Sequence, residues 1–187
     1  MQEDINNAIK VLEEGGIILY PTDTIWGIGC DATNEKAVQK IYAIKKREDS
    51  KSMLVLLNNI NFIRSYVEDV PEVALDIVEL SEKPITVVYS GAKNLAKNLI
   101  AEDDSIGIRI TSEEFTDKLI QKFRKPIVST SANVSGEQFS GNFKDVSEEI
   151  KNSVDYIVAY NQDKEMSKTP SSIIKIGKRN QIKIIRE

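Results

Sequence analysis

The chain has 187 residues but contains no histidine and only one cysteine, Cys30. Without histidine, a Ser-His-Asp triad, a Cys-His dyad and any His-ligated zinc site are excluded. A single cysteine cannot form an internal disulfide, which is typical of a protein in a reducing compartment. Any chemistry must therefore use Lys, Arg, Asp, Glu, hydroxyl groups, backbone N–H groups or a hard metal ion.

Long apolar segments are also missing from the sequence. The longest purely apolar runs, such as 17–20 and 53–57, are too short to span a bilayer. The N-terminal MQEDINNAIK carries acids where a secretory signal carries bases, so we expect a cytoplasmic protein without a membrane partner. The length, with 41% hydrophobic and 29% charged residues, predicts one globular domain over 1–187. A net charge of −4 argues against broad nucleic-acid coating but allows a local basic cleft.

Apolar periodicity predicts short strands mixed irregularly with helices. Asn34 is the predicted N-cap of an amphipathic helix beginning near Ala37, and Gly15 the predicted C′ residue of the first helix. The predicted helices cover 5–12, 37–44, 71–80, 94–100, 112–123 and 146–151. The predicted strands are 17–20, 53–57, 85–89, 106–110, 127–130, 156–159, 172–176 and 182–185. Because the last two strands resemble a hairpin, we expect an α/β fold with a mixed twisted sheet and helices packed on it.

Three polar segments each follow an apolar strand: 21–24, 129–136 and 168–172. Ligands of open α/β sheets bind at strand ends, and hydroxyl and N–H groups in turns hold phosphate or carboxylate oxygens. Taken singly, each segment is better explained as a turn or cap. Only their convergence in space would favour a binding site. A P-loop is absent, and Gly27-Ile28-Gly29 lacks the third glycine of a dinucleotide fingerprint.

Two basic features have alternative explanations. The run 45–47, with Lys51 beyond it, either stabilises a helix C-terminus or clamps phosphates. Arg109 lies within 106–110, on the face opposite Ile108 and Ile110, and is either solvated or paired with an anionic ligand. Trp26 and Cys30 are expected to be packing residues.

Together these motifs resemble the YrdC family of threonylcarbamoyl-AMP synthases. The resemblance runs over nearly the whole chain and rests on PTDTIWGIGC (21–30), IKKR (44–47) with Lys51, GIR (107–109) and STSANVSG (129–136). It implies a twisted α/β sheet around a deep basic cleft. It also implies synthesis of L-threonylcarbamoyladenylate and pyrophosphate from L-threonine, bicarbonate and ATP, with Mg²⁺ accompanying the ATP. Partner proteins would transfer the threonylcarbamoyl group to adenosine 37 of tRNAs reading ANN codons.

The resemblance also implies roles for individual residues. The catalytic set would be Lys45, Arg47, Ser131 and Asn133. Threonine would bind Thr24, Arg109, Thr130 and Ser171. ATP would bind Lys45, Arg47, Lys51, Thr86, Ser131, Asn133 and Arg186. For Asp23, turn capping is favoured over orienting a donor or holding a metal.

The sequence departs from the family pattern at a few positions. Glu48 stands where the family often has proline, Trp26 replaces a usual tyrosine and Ser172 a usual threonine. The chain is similar to the short family members, which implies dependence on separate transfer proteins. Two alternatives remain open: an RNA-binding module with the same fold, and a paralogue without activity. Direct contact with RNA also remains open for the enzyme.

Overall fold

The computed structural model describes residues 1–46, 53–166, 170–177 and 181–187. Within these residues nine strands form one mixed sheet in the order β7-β1-β2-β6-β3-β5-β4-β8-β9. The strands are β1 (Ile18–Tyr20), β2 (Gly27–Gly29), β3 (Leu54–Leu57), β4 (Ile85–Ser90), β5 (Ser105–Ile110), β6 (Ile127–Ser131), β7 (Tyr156–Ile157), β8 (Ser172–Ile176) and β9 (Ile182–Arg186). The predicted mixed α/β sheet is therefore confirmed.

Helices flank the sheet, and their ends follow capping chemistry. The α-helices are α1 (Gln2–Glu13), α2 (Glu35–Lys45), α3 (Ile63–Tyr66), α4 (Glu72–Leu80), α5 (Glu114–Phe123) and α6 (Glu148–Asn152). Asn34 caps α2 as predicted, because its side chain accepts hydrogen bonds from the N–H groups of Lys36 and Ala37. Gly15 follows α1 with a φ of +72°, as expected for a C′ glycine. The predicted helix over 94–100 is reduced to a 3₁₀ turn, Lys97–Leu99.

Strand direction brings two of the polar segments to one edge of the sheet. β2 is antiparallel to both β1 and β6, so β1 and β6 run in the same direction. Tyr20 at the end of β1 pairs with Gly27, and Gly27 pairs with Ser131 at the end of β6. The segments that follow β1 and β6 therefore leave the sheet at the same edge.

Strand β2 was not predicted, because two of its three residues are glycines and glycine is a weak strand former. Both positions require glycine because the backbone of β6 approaches them closely. A Cβ atom at Gly29 would lie 2.2 Å from the carbonyl oxygen of Val128, and one at Gly27 would lie 3.0 Å from that of Thr130. The glycines therefore allow β2 to fit tightly against β6.

The apolar core contains one large cluster of buried side chains. Trp26 and Cys30 are both fully buried, which confirms them as packing residues. The Trp26 ring packs on Phe143, with the ring centroids 4.8 Å apart. Among the helices that the structure describes, none is long and apolar enough to cross a membrane.

Candidate active site

A cavity of about 470 Å³ lies against one face of the sheet. Its floor contains one residue from each of five adjacent strands, joined as Cα partners: Ser129, Leu54, Gly107, Val88 and Lys175. The next row of partners is buried in the apolar core: Val128, Val55, Ile108, Val87 and Ile174. Because side chains alternate along a strand, one face supplies the core and the other the cavity.

The three polar segments converge on this cavity. Its lining includes Thr22 and Thr24 from the first segment, Ser129 to Ser131 from the second, and Pro170 and Ser171 from the third. Lys168 and Thr169 of the third segment lie outside the described residues. Each segment alone resembled an ordinary turn, but their common lining of one cavity favours a binding site.

Thr22 fixes the turn that presents Thr24. Its hydroxyl donates to the carbonyl oxygen of Ile25 at 2.7 Å and accepts from the N–H groups of Thr24 and Ile25 at 3.2 and 3.3 Å. The hydroxyl oxygens of Thr22 and Thr24 lie 3.1 Å apart. The turn therefore holds the Thr24 side chain against the cavity in a defined orientation.

Arg109 forms a buried ion pair with Asp23. Arg109 Nη2 lies 2.8 Å from Asp23 Oδ1, and the two side chains are only 3% and 4% exposed. Burial raises the pKa of Asp23 above its ordinary value, and the nearby Arg109 opposes that rise. Arg109 lies on the cavity face, as the alternation predicted, but its charge is balanced by an internal carboxylate rather than by solvent.

A second polar group on the cavity wall joins β4 and β9 to Ser171, the residue before β8. The hydroxyls of Thr86 and Ser171 are 2.9 Å apart. Arg186 donates to the carbonyl oxygen of Ser171 through Nε at 3.0 Å and through Nη2 at 2.7 Å. Burial, and secondarily the charge of Arg109, lowers the pKa of Arg186. Two guanidinium groups therefore lie near the same cavity, which suits an anionic ligand.

Lys45, the last residue of α2, is directed into the turn that follows β6. Its Nζ donates to the carbonyl oxygens of Ser131 at 2.6 Å and Asn133 at 2.7 Å, and the residue is 2% exposed. Asn133 in turn donates from Nδ2 to the carbonyl oxygen of Glu137 at 2.8 Å. In this structure Lys45 braces the turn, and its phosphate contact stays a prediction.

The predicted site residues fall into three groups. Seven line the cavity: Thr24, Thr86, Arg109, Thr130, Ser131, Ser171 and Arg186. Lys45 and Asn133 are joined in the adjacent turn. Arg47 and Lys51 lie outside the described residues. The roles assigned to all of them stay predictions.

Sequence reasoning assigned no individual role to several lining residues: Thr22, Ser105, Gly107, Ser129 and Lys175. A signal for some of them was available, since small or polar residues alternate with apolar ones in β5. Lys175 is paired with Asp103, as Arg109 is with Asp23, so part of the positive charge at the cavity is already balanced. The expected deep basic cleft stays a prediction.

The chain is similar to curated proteins over most of its length. Residues 10–187 match the model of the Sua5/YciO/YrdC family, described as telomere recombination. A relative from Pseudoalteromonas translucida, named threonylcarbamoyl-AMP synthase, is 36% identical over 160 residues, covering 84% of this chain and 86% of that protein. A relative of the same name from Pseudomonas aeruginosa is 35% identical over 130 residues, covering 69% and 70% respectively.

Solved structures show the same fold. E. coli YciO matches with a TM-score of 0.87 and 23% identity, covering 100% of this chain and 90% of that one. P. abyssi Sua5 complexed with L-threonine matches with a TM-score of 0.86 and 22% identity, covering 97% of this chain. The chain spans about half of that Sua5 protein, 53% of its length.

Proposed function

The chain belongs to the Sua5/YciO/YrdC family, and from this membership we propose that it is a threonylcarbamoyl-AMP synthase. The proposed reaction converts L-threonine, bicarbonate and ATP into L-threonylcarbamoyladenylate, pyrophosphate and water. One observation carries the proposal: three separate polar segments and a buried arginine line a single cavity. The names of the curated relatives favour an enzyme over an RNA-binding module.

Threonine would bind where Thr24, Thr130 and Ser171 surround the cavity near Arg109. The Arg109 guanidinium suits the threonine carboxylate, because its planar fork can donate two parallel hydrogen bonds to two oxygens. The hydroxyl groups offer donors and acceptors to the threonine amine and hydroxyl. The description of P. abyssi Sua5 as complexed with L-threonine supports this ligand for the fold.

ATP would bind beside threonine, with its phosphates near Ser131, Asn133 and Arg186. Thr86 lies on the same wall, and Lys45, Arg47 and Lys51 complete the proposed ATP set. The described residues contain no group of three or more His, Cys, Asp or Glu side chains placed to hold a metal ion. Mg²⁺ would therefore be held mainly by the phosphates, as is usual for this ion, where it neutralises their charge.

The chemistry needs no covalent enzyme intermediate. The threonine amine combines with bicarbonate to give a carbamate and water, and a carbamate oxygen then attacks the α-phosphate and expels pyrophosphate. In this scheme the protein contributes by aligning the reactants and by placing positive charge near the leaving group. This fits a site built from hydroxyls and guanidinium groups without histidine.

The product would pass to other proteins that transfer the threonylcarbamoyl group to adenosine 37 of tRNA. This role, a cytoplasmic location and any direct contact with RNA are parts of the proposal. An RNA contact would appear as an affinity that falls steeply with salt, because phosphate contacts release counterions.

The test is pyrophosphate release by the purified protein, with each substrate omitted in turn. We expect release only when threonine, bicarbonate and ATP are all present. Arg109→Lys keeps the charge but loses the planar fork, so kcat/KM for threonine should fall by about 10- to 100-fold.

Arg124→Lys is the matched control, since Arg124 is exposed and lies away from this cavity, beside Pro126. Its kcat/KM should stay near that of the wild type. Pyrophosphate release that does not depend on threonine would contradict the proposed function. Equal losses in Arg124→Lys and Arg109→Lys would contradict the assigned role of Arg109.

A further inference from the structure

The Asp23–Arg109 pair joins two distant parts of the sheet. Asp23 lies in the turn after β1, whereas Arg109 lies within β5, and β2, β6 and β3 stand between these strands. The pair is nevertheless in direct contact at 2.8 Å, with both side chains almost fully buried. A buried charge without its partner is costly, so each residue constrains the position of the other.

Asp23 does not share a cavity with Arg109. Arg109 lines the cavity that contains the predicted threonine residues, whereas Asp23 lines a neighbouring cavity of about 470 Å³ with Thr111 and Ser112. Both carboxylate oxygens of Asp23 are buried, so they do not contact a ligand in the first cavity directly. An effect of Asp23 on threonine would pass either through Arg109 or through the turn that presents Thr24.

We propose that Asp23 is a positioning residue that orients the Arg109 guanidinium for the carboxylate of threonine, an inference that rests on the proposed function. A guanidinium has five N–H donors in one plane, and bidentate binding requires that plane to be aligned with the ligand. Asp23 Oδ1 forms an ion pair with Arg109 Nη2, although neither carboxylate oxygen nor the buried Nε has a hydrogen-bond partner among the described residues. The ion pair restrains one side of the guanidinium and leaves its other terminal nitrogen for the ligand.

Asp23 could affect threonine binding through its charge or through the orientation of Arg109, and the two accounts predict opposite effects. If Asp23 only weakened the positive potential of Arg109, neutralising Asp23 would tighten threonine binding. If Asp23 sets the orientation of the guanidinium, neutralising it would weaken threonine binding although the potential becomes more positive. The sign of the change therefore separates the two accounts.

The test compares Asp23→Asn with the wild type by steady-state kinetics and by calorimetric titration with threonine. We expect the KM and Kd for threonine to rise about tenfold, with the KM for ATP and kcat changing less than about twofold. Asp31→Asn is the matched control, because Asp31 is also a buried carboxylate paired with a cation, Lys125 at 2.7 Å. Its threonine KM should not change, even if its stability falls.

A double-variant cycle shows whether Asp23 acts through Arg109. Arg109→Gln should raise the threonine Kd by more than Asp23→Asn does, and adding Asp23→Asn to it should change the Kd by less than about twofold. The inference would be overturned if the Kd changes of the two single variants multiplied in the double variant. An unchanged threonine KM or tighter threonine binding in Asp23→Asn would also overturn it.

The test still decides the role of Asp23 if the variant does not fold or if the protein has no activity. If Asp23→Asn does not fold, Asp23→Glu replaces it, since the charge is kept and only the carboxylate position changes. The expected result is then a smaller but measurable rise in threonine Kd, and no rise would overturn the inference. If the wild type binds threonine but releases no pyrophosphate, the proposed function fails while the calorimetric comparison still decides the role of Asp23.

Discussion

At the scale of single residues, two adjacent lysines illustrate how burial decides a role. Lys45 is buried and donates to two backbone carbonyl groups of the turn after β6. Lys46 is exposed and pairs with Glu149 on the surface. Two adjacent lysines in a sequence give no sign of this difference, which arises because α2 ends at Lys45 and Lys46 follows it in a left-handed conformation.

Lys45→Met is expected to lower both stability and activity. The substitution keeps an unbranched side chain that is one atom shorter and removes the donor, so the carbonyl oxygens of Ser131 and Asn133 lose a buried partner. The expected loss is about 1–3 kcal/mol of unfolding free energy, measured by urea denaturation. Because the turn carries Ser131 and Asn133, kcat/KM for ATP should fall as well.

Lys46→Met is the control for this prediction. An exposed ion pair contributes little to the free energy of unfolding, so the urea midpoint of Lys46→Met should stay close to that of the wild type. If Lys46→Met proves as damaging as Lys45→Met, the bracing role of Lys45 would be wrong. If Lys45→Met loses activity but not stability, a direct contact with phosphate would explain Lys45 better than bracing.

At the scale of elements, predictions succeeded where the signal is local. The cap at Asn34 and the C′ glycine depend on a few neighbouring residues, and both are confirmed. The helix α5 is instead capped by Glu113, whose carboxylate accepts from the N–H group of Thr116 at 2.8 Å. Ser112 had been expected to begin this helix, because the neighbouring sequence does not clearly favour Glu113 over Ser112 as the N-cap.

Predictions failed where the signal comes from another strand. β2 is a strand because β1 and β6 pair with it on both sides, not because Gly27 and Gly29 favour extended structure. The Asp23–Arg109 pair likewise depends on the order of strands across the sheet. Neither the strand order nor the register can be derived from a single sequence without contact information.

Gly29→Ala is expected to destabilise the protein strongly. The added Cβ would meet the carbonyl oxygen of Val128 at 2.2 Å and the Tyr20 ring at 2.8 Å, so β2 and β6 would have to separate. The expected loss is about 3 kcal/mol, measured as the change in urea midpoint at constant m-value.

Gly177→Ala is the control, because it adds the same methyl group at a position with enough space for it. Its Cβ would lie 3.6 Å from the nearest atom, the carbonyl oxygen of Gln181, which is an ordinary contact. The stability of this variant should stay within about 1 kcal/mol of the wild type. Equal effects of the two substitutions would show that steric approach is not the reason for Gly29.

At the scale of the whole molecule, the cavity depends on the assembled sheet rather than on any one segment. Its floor crosses five adjacent strands, from β6 to β8, and its walls come from turns that are distant in sequence. Two of the charged lining residues are balanced by acids from other elements. Ligand binding and global stability should therefore be linked, because unfolding separates all the parts of the cavity.

Cys30, the single cysteine, offers a probe of this linkage. It is fully buried in the core, it does not line the cavity, and burial raises the pKa of its thiol. A disulfide reagent should therefore react only after the structure opens, since the reactive species is an exposed thiolate. The opening free energy from labelling rates should equal the unfolding free energy from urea denaturation.

Adding ATP and threonine should slow the labelling of Cys30 although neither ligand would touch it. For each ligand added alone at about 100 times its dissociation constant, linkage predicts stabilisation of about 2.7 kcal/mol, or labelling that is about 100-fold slower. If the rate does not change while calorimetry shows binding, Cys30 is exposed by a local opening that leaves the cavity intact. That outcome would contradict cooperative unfolding of the sheet, because β2 pairs with β6, which itself contributes to the cavity.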